Sequence, residues 1–171
     1  MWVTEEPLEA LLQIMQLHVR YAYFFDSGAV EGLADCFTEQ AVFDSLPSVE
    51  GLPFPATGRQ AIVDALASER QPLDSHPYLH LVGNPLVVEY RLGYFRTWTQ
   101  LVVFHTLPGT APTVRVTGGY DDEIVLEEDR QWRLSRRTTY RDLAIAPTFE
   151  LGRPQLSLGP SNLDVAGRGA N

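Results

Sequence analysis

His76-Pro77-Tyr78-Leu79-His80-Leu81-Val82-Gly83-Asn84 marks the point where the chain changes period, and its reading decides the fold. Side chains on a strand alternate between faces, so His80, Val82 and Asn84 are expected on one face and Leu79, Leu81 and Gly83 on the other. An imidazole and a carboxamide entering an apolar strand together are what acid/base chemistry uses and what a plain core does not need. A lone strand histidine is also a common structural residue, so other residues must carry the case.

Downstream of this stretch the runs 78–90, 94–106, 113–127 and 131–143 are rich in β-branched and aromatic residues and are separated by short turn sequences. Hairpins are the expected connections. Upstream the period is helical. Leu8, Leu11, Leu12, Met15, Val19, Ala22 and Phe25 recur at three- and four-residue steps and predict an amphipathic first helix that stops at Ser27-Gly28, with His18 on its solvent side or at a subunit contact. A second helix is expected over 30–37 and a short strand over 41–43. The Gly- and Pro-rich loop 45–57 either caps a core or roofs a pocket, and a third helix opens at Thr57-Gly58-Arg59-Gln60. Three helices followed by a meander describe an α+β domain with helices on one face of a strongly curved antiparallel sheet and a cone-shaped hollow between them.

The 171 residues, 44% of them hydrophobic, suffice for one domain, expected over 1–146, with a Pro/Gly-rich tail over 147–171 that could fold back over the hollow. Thirteen Lys and Arg against 22 Asp and Glu give a net charge of −9 and no basic stripe, which disfavours nucleic acid and anionic membranes as partners. A small hydrophobic organic ligand fits better. The acidic runs 121–123 and 127–129 read as a solvated strand end and a turn. Cys36 is the single cysteine, in an apolar run that suits a buried, inert thiol in a reducing compartment. With no secretion-signal pattern and no bilayer-length apolar run, a cytoplasmic protein is expected.

Several residues together carry a resemblance: Arg20-Tyr21-Ala22 through Asp26, Thr57-Gly58-Arg59-Gln60-Ala61-Ile62, His80 with Asn84, Gly119-Tyr120-Asp121-Asp122, and Trp132-Arg133-Leu134 with Arg136-Arg137. In this order they resemble the NTF2-like superfamily and, within it, the SnoaL-like and scytalone dehydratase-like branch. The resemblance implies a cone-shaped fold. It also implies cofactor-free dehydratases, isomerases, cyclases or hydrolases acting on small cyclic or polyketide-like molecules, alongside binding-only relatives. It assigns a working pair to Asp26 and His80 and a second histidine to His105. A tyrosine that precedes the acid in the dehydratase is Phe25 here, so a substrate-polarising hydroxyl is missing unless Tyr21, Tyr23 or Tyr120 supplies it, and the dehydratase's own reaction does not carry over.

The residues support such chemistry in their own right. A histidine lifting a proton near neutral pH needs a carboxylate that fixes its tautomer and stabilises its charged form. Asp26 would do this for His80, and His105 could donate to a departing oxygen or hold an enolate, without metal or cofactor. Dehydration, isomerisation next to a carbonyl and ring closure share that proton abstraction. Phe43, Phe54, Val82, Leu101, Val103 and Tyr120, with Tyr21, Tyr23 and Asn84, are the expected lining of the substrate pocket. Trp98 is assigned to the core or to a dimer face, and Trp132 to the core. Alternatives remain open from sequence: Asp26 as a turn cap, His105 at a wet hairpin end, or the three as a two-His-one-carboxylate metal set. A non-catalytic module binding a small ligand or a protein partner is the competing function. A homodimer or higher homo-oligomer built on the large sheet is the expected assembly.

Overall fold

A glycine turn sets the length of the first helix. In the computed structural model, which describes residues 7–48, 53–70 and 78–149, α1 (Pro7–Ser27) ends where Gly28 takes a φ of 72°. Gly28 N donates to Phe25 O at 3.2 Å and Ala29 N to Phe24 O at 2.9 Å, the pair of bonds by which a left-handed residue closes a helix. Asp26 therefore sits in the last turn with its side chain free for other work. The capping alternative raised by the sequence is met by backbone instead.

The chain continues through α2 (Val30–Asp35), β1 (Phe37–Leu46), β2 (Ala56–Thr57), α3 (Arg59–Arg70), β3 (Tyr78–Val82), β4 (Leu86–Arg91), β5 (Tyr94–His105), β6 (Thr113–Leu126) and β7 (Trp132–Tyr140), then a 3-10 turn at Leu143–Ile145. The sheet runs β2-β1-β7-β6-β5-β3, with β4 also pairing β5. Three helices pack on this open, cone-like α+β sheet. Register shifts in the β1/β7, β4/β5, β5/β6 and β6/β7 pairs mark where extra residues bend it.

Two features differ from an antiparallel meander. β1 pairs β7 in parallel, so the sheet is mixed, and the run 78–90 divides at Gly83-Asn84-Pro85, where proline cannot donate to a ladder. Phe37, expected to end the second helix, instead begins β1, which extends for ten residues.

The inner face follows strand parity. On β5, Phe95, Thr97, Thr99, Leu101 and Val103 are buried between more exposed neighbours, and Phe37, Ile124 and Leu134 close the narrow end with no exposed surface. Trp98 lies on the outer face, its ring 5.7 Å from Tyr140 and 5.8 Å from Phe149. Cys36 is buried, and burial pushes its thiol up to about 11, consistent with an inert residue.

The phase of α1 is the largest departure from expectation. Its buried residues are Ala10, Ile14, Leu17, His18, Tyr21, Ala22 and Phe25, whereas Leu8, Leu12 and Val19 are 68%, 54% and 51% exposed. Residues 10–19 carry no Asp, Glu, Lys or Arg, so both faces are apolar and the periodicity has two solutions. Burying Ile14, Leu17 and Phe25 contributes about 1.5–3 kcal/mol each and, with the polar contacts of His18, selects the observed one. The tail beyond residue 149, expected over the pocket, lies outside the described residues. Among those residues no helix is long and apolar enough to cross a membrane.

Candidate active site

β3 is the last strand of its sheet path, and its outer backbone groups need partners. Asp26, arriving on the final turn of α1, supplies one. Its Oδ2 accepts from the His80 backbone N–H at 2.8 Å, and its Oδ1 lies 2.5 Å from His80 Nδ1. The Asp26 and His80 side chains are 17% and 10% exposed, so the contact is largely shielded. A carboxylate accepts, so this pattern puts a proton on Nδ1, and in the neutral ring Nε2 is then the acceptor. No hydrogen bond to Nε2 is found among the described residues. Phe25 packs edge-on to the His80 ring with centroids 5.0 Å apart, and an Arg70 Nη2 donates to the Asp26 carbonyl at 3.2 Å.

The pair opens on a groove of about 420 Å³ between α1 and β3. Of the expected lining, Tyr23 and Val82 border it; Val19, Tyr78 and Leu79 border it as well and were not anticipated. Tyr21, Phe43, Leu101, Val103 and Tyr120 instead pack into the core at 2–4% exposure, and Phe54 is partly buried against Phe43, ring centroids 5.0 Å apart. Asn84 is exposed beyond the end of β3, because the ladder closes at Gly83 N to Gln100 O. His105 lies opposite Tyr78 and His80 opposite Val103. The two imidazoles thus share a face as diagonal neighbours, about 7–8 Å apart for such positions. The Tyr78 ring lies tilted against His105 with centroids 4.9 Å apart, its hydroxyl is buried, and the Arg115 guanidinium lies 5.8 Å from its ring centroid. Burial raises the Tyr78 pKa, keeping that hydroxyl a donor at neutral pH. Among the described residues no group of three His, Cys, Asp or Glu side chains could hold a metal ion.

A second histidine–carboxylate cluster lies one layer deeper. Arg137 donates from Nε and Nη2 to the two Asp122 oxygens at 2.8 and 2.7 Å, and its Nη2 lies 3.1 Å from His18 Nδ1. The guanidinium is stacked between Tyr21 and Tyr120, 4.1 and 3.9 Å from their ring centroids. Because guanidinium only donates, His18 Nδ1 accepts and its Nε2–H faces Thr97 Oγ1 at 3.3 Å. His18, expected in solvent, is 1% exposed, and burial first and Arg137 second hold its pKa down at about 3. Asp122, expected at a solvated strand end, is fully buried because it shares parity with Tyr120 and Ile124; burial raises its carboxyl against the pull of Arg137. The signals were present: His18 stands four residues after Ile14, and Asp122 alternates with Asp121, whose side chain turns outward to Arg96.

The fold is shared with known proteins. The chain is 25% identical over 143 residues, 79% of its own length and 89% of the relative, to the anthranilate 1,2-dioxygenase small subunit of Burkholderia cepacia. An Asp-to-Asn variant of Rv3472, a protein of unknown function from Mycobacterium tuberculosis, superposes with a TM-score of 0.67 at 25% identity, covering 80% of this chain and 74% of that one. A candidate scytalone dehydratase from Novosphingobium aromaticivorans superposes with a TM-score of 0.65 at 23% identity, covering 80% and 87%. The sequence pattern of the SnoaL-like domain matches residues 6–138, most of the chain, and with this the protein is a member of the SnoaL-like domain family.

Proposed function

We propose that the protein is a cofactor-independent acid/base enzyme in which His80 Nε2 abstracts a proton from a small hydrophobic cyclic substrate, with Asp26 orienting the ring and stabilising its charged form. The observation that carries this reading is the 2.5 Å Asp26–His80 contact at the groove, which protonates Nδ1 and leaves Nε2 as base. The hydroxyl absent at Phe25 is assigned to Tyr78, a tyrosine of the groove wall, which would hold a substrate carbonyl as negative charge develops on it. His105, behind Tyr78, is the assisting group. Dehydration, isomerisation and cyclisation all begin with this step.

The test is deuterium exchange next to the carbonyl of 1-tetralone in heavy water, followed by NMR. Wild-type protein should accelerate exchange over buffer, and His80→Ala and Asp26→Asn should each lower the rate by about 10² while keeping the fold. No acceleration by the wild type, or unchanged rates in both variants, ends the reading. A second reading, a non-catalytic subunit, is favoured by one observation: Asp26 also satisfies the backbone of an edge strand, a purely structural service. It draws support from the relationship to a dioxygenase small subunit, and it predicts no acceleration of exchange over buffer.

A further inference from the structure

An irregularity in the β5/β6 ladder turns one side chain from the outer face of the sheet to the inner. Val103 pairs Val116 and Phe104 pairs Val114, so Arg115 is an extra residue of β6 with no counterpart on β5. In a regular ladder it would alternate with Val116, which packs inward beside the buried Val103, and would point away from the groove. It does not. The Arg115 guanidinium carbon lies 5.8 Å from the ring centroid of Tyr78, and Tyr78, the partner of His105 and two residues from His80, belongs to the inner face. A bulge re-aims the side chain it carries, and this one sends a cation across β5 to the strand that holds His80.

The charge is not spent on an acid of the fold. Arg96, Arg133, Arg137 and Arg141 each hold a carboxylate, whereas no ion pair to the exposed Arg115 is found among the described residues. Glu69, an acid whose charge reaches Tyr78, is taken by Arg141. In a chain of net charge −9, a guanidinium laid over an aromatic ring of the groove wall reverses the local field. Its planar fork of donors matches a carboxylate in shape as well as in charge.

We infer that Arg115 is the anion-recognising residue of the groove and that the ligand is a cyclic organic acid, its ring against Tyr78 and Val82 and its carboxylate on the Arg115 guanidinium. The inference rests on the proposed reading of the groove as the place where a small cyclic molecule binds. Spacing sets the ligand's size. Tyr78 and His80 stand two residues apart on one face, about 7 Å at strand rise, so an acid group held by Arg115 brings the far edge of a one- or two-ring skeleton to His80 Nε2. The ligand's carboxylate and its reacting carbon then lie at opposite ends, which keeps that carboxylate away from Asp26.

Calorimetric titration of the full chain with 2-naphthoate and with 2-naphthamide, an uncharged counterpart of similar size, reads this preference without any turnover. Wild-type protein should bind naphthoate about tenfold more tightly, and the ring protons of bound naphthoate should show nuclear Overhauser contacts to Tyr78 and Val82. Arg115→Gln, at an exposed position, should bring the two affinities within about twofold while leaving that for naphthamide unchanged, the sign that the groove is intact. Arg136→Gln, at an exposed arginine of β7, should preserve the preference. Equal affinities in the wild type, no binding of naphthoate, a preference that survives Arg115→Gln, or one that Arg136→Gln abolishes as well would each overturn the inference. Binding and exchange are separate readings. A protein that prefers naphthoate yet does not accelerate tetralone exchange loses the proposed chemistry and keeps the anion site, and one that accelerates exchange without the preference does the reverse.

Discussion

Two histidine–carboxylate contacts among the described residues have opposite designs. At the inner one His18 uses both ring nitrogens, accepting at Nδ1 from Arg137 and facing Thr97 from Nε2, with no surface left. At the outer one His80 gives Nδ1–H to Asp26 and keeps Nε2 spare beside a groove. The two imidazoles are opposite tautomers. Proximity of an imidazole to a carboxylate therefore says little about chemistry; the second nitrogen decides. A histidine satisfied at both ends is a strut, and only one satisfied at a single end keeps a nitrogen for chemistry.

The sharpest way to break this contrast is to remove Arg137. Arg137→Met leaves Asp122 buried and uncompensated and should cost about 3–5 kcal/mol in urea unfolding, whereas Asp26→Asn should cost only about 1 kcal/mol, the value of an ordinary hydrogen bond. Equal losses would mean that both contacts are scaffolding.

Next in size is the kinetic contrast. His80→Ala should lower tetralone exchange by about 10², roughly 2.7 kcal/mol of barrier, while His18→Asn, which keeps an acceptor for Arg137, should leave the rate within about twofold. A rate that falls equally in both would make the inner cluster part of the machinery.

Acid should distinguish them too. His18 has a folded pKa of about 3, below its ordinary value near 6.5, so folding favours the neutral ring. That stability is complete above about pH 6.5 and is lost as pH falls toward 3, with a slope approaching one proton. The raised Asp122 carboxyl acts in the opposite sense, favouring the fold as acid neutralises it. His18→Asn should remove the histidine contribution and flatten the decline between pH 6.5 and 3, measured as unfolding free energy against pH. An unchanged slope would refute the assignment.

The smallest expected effect calibrates the others. Arg20 and Asp35 form an ion pair at 3.1 Å with both side chains in water, 39% and 51% exposed. Arg20→Ala should change stability by less than about 1 kcal/mol, and salt should erase the difference.

Strand periodicity made the helices-then-sheet order readable, because alternation on β5 and β6 is set by which side chains leave water. Helix phase was not readable in α1, since Leu8, Leu12 and Val19 are as apolar as Ile14 and Leu17, and only Arg137, more than a hundred residues away, turns His18 inward. The parallel pairing of β1 with β7 was hidden for the same reason: nothing local encodes a partner near the other end of the chain. Asp122 was legible in principle. Parity separates it from Asp121, but a run of acids reads as surface unless each residue is assigned a face. His80 stood out as an imidazole on an apolar strand, and the family resemblance paired it with Asp26, 54 positions away in the chain. Tyr78 escaped notice because a strand tyrosine carries no local mark of the groove it borders.

The bond from the His80 amide to Asp26 gives the acid a duty at the sheet edge that is independent of any chemistry. A bare sheet margin invites templated growth by another chain, and here a single carboxylate blocks that margin. Substitutions of Asp26 that leave no acceptor, such as Asp26→Leu, should therefore surface first as clumping during expression, whereas Asp26→Asn keeps an oxygen for the His80 amide.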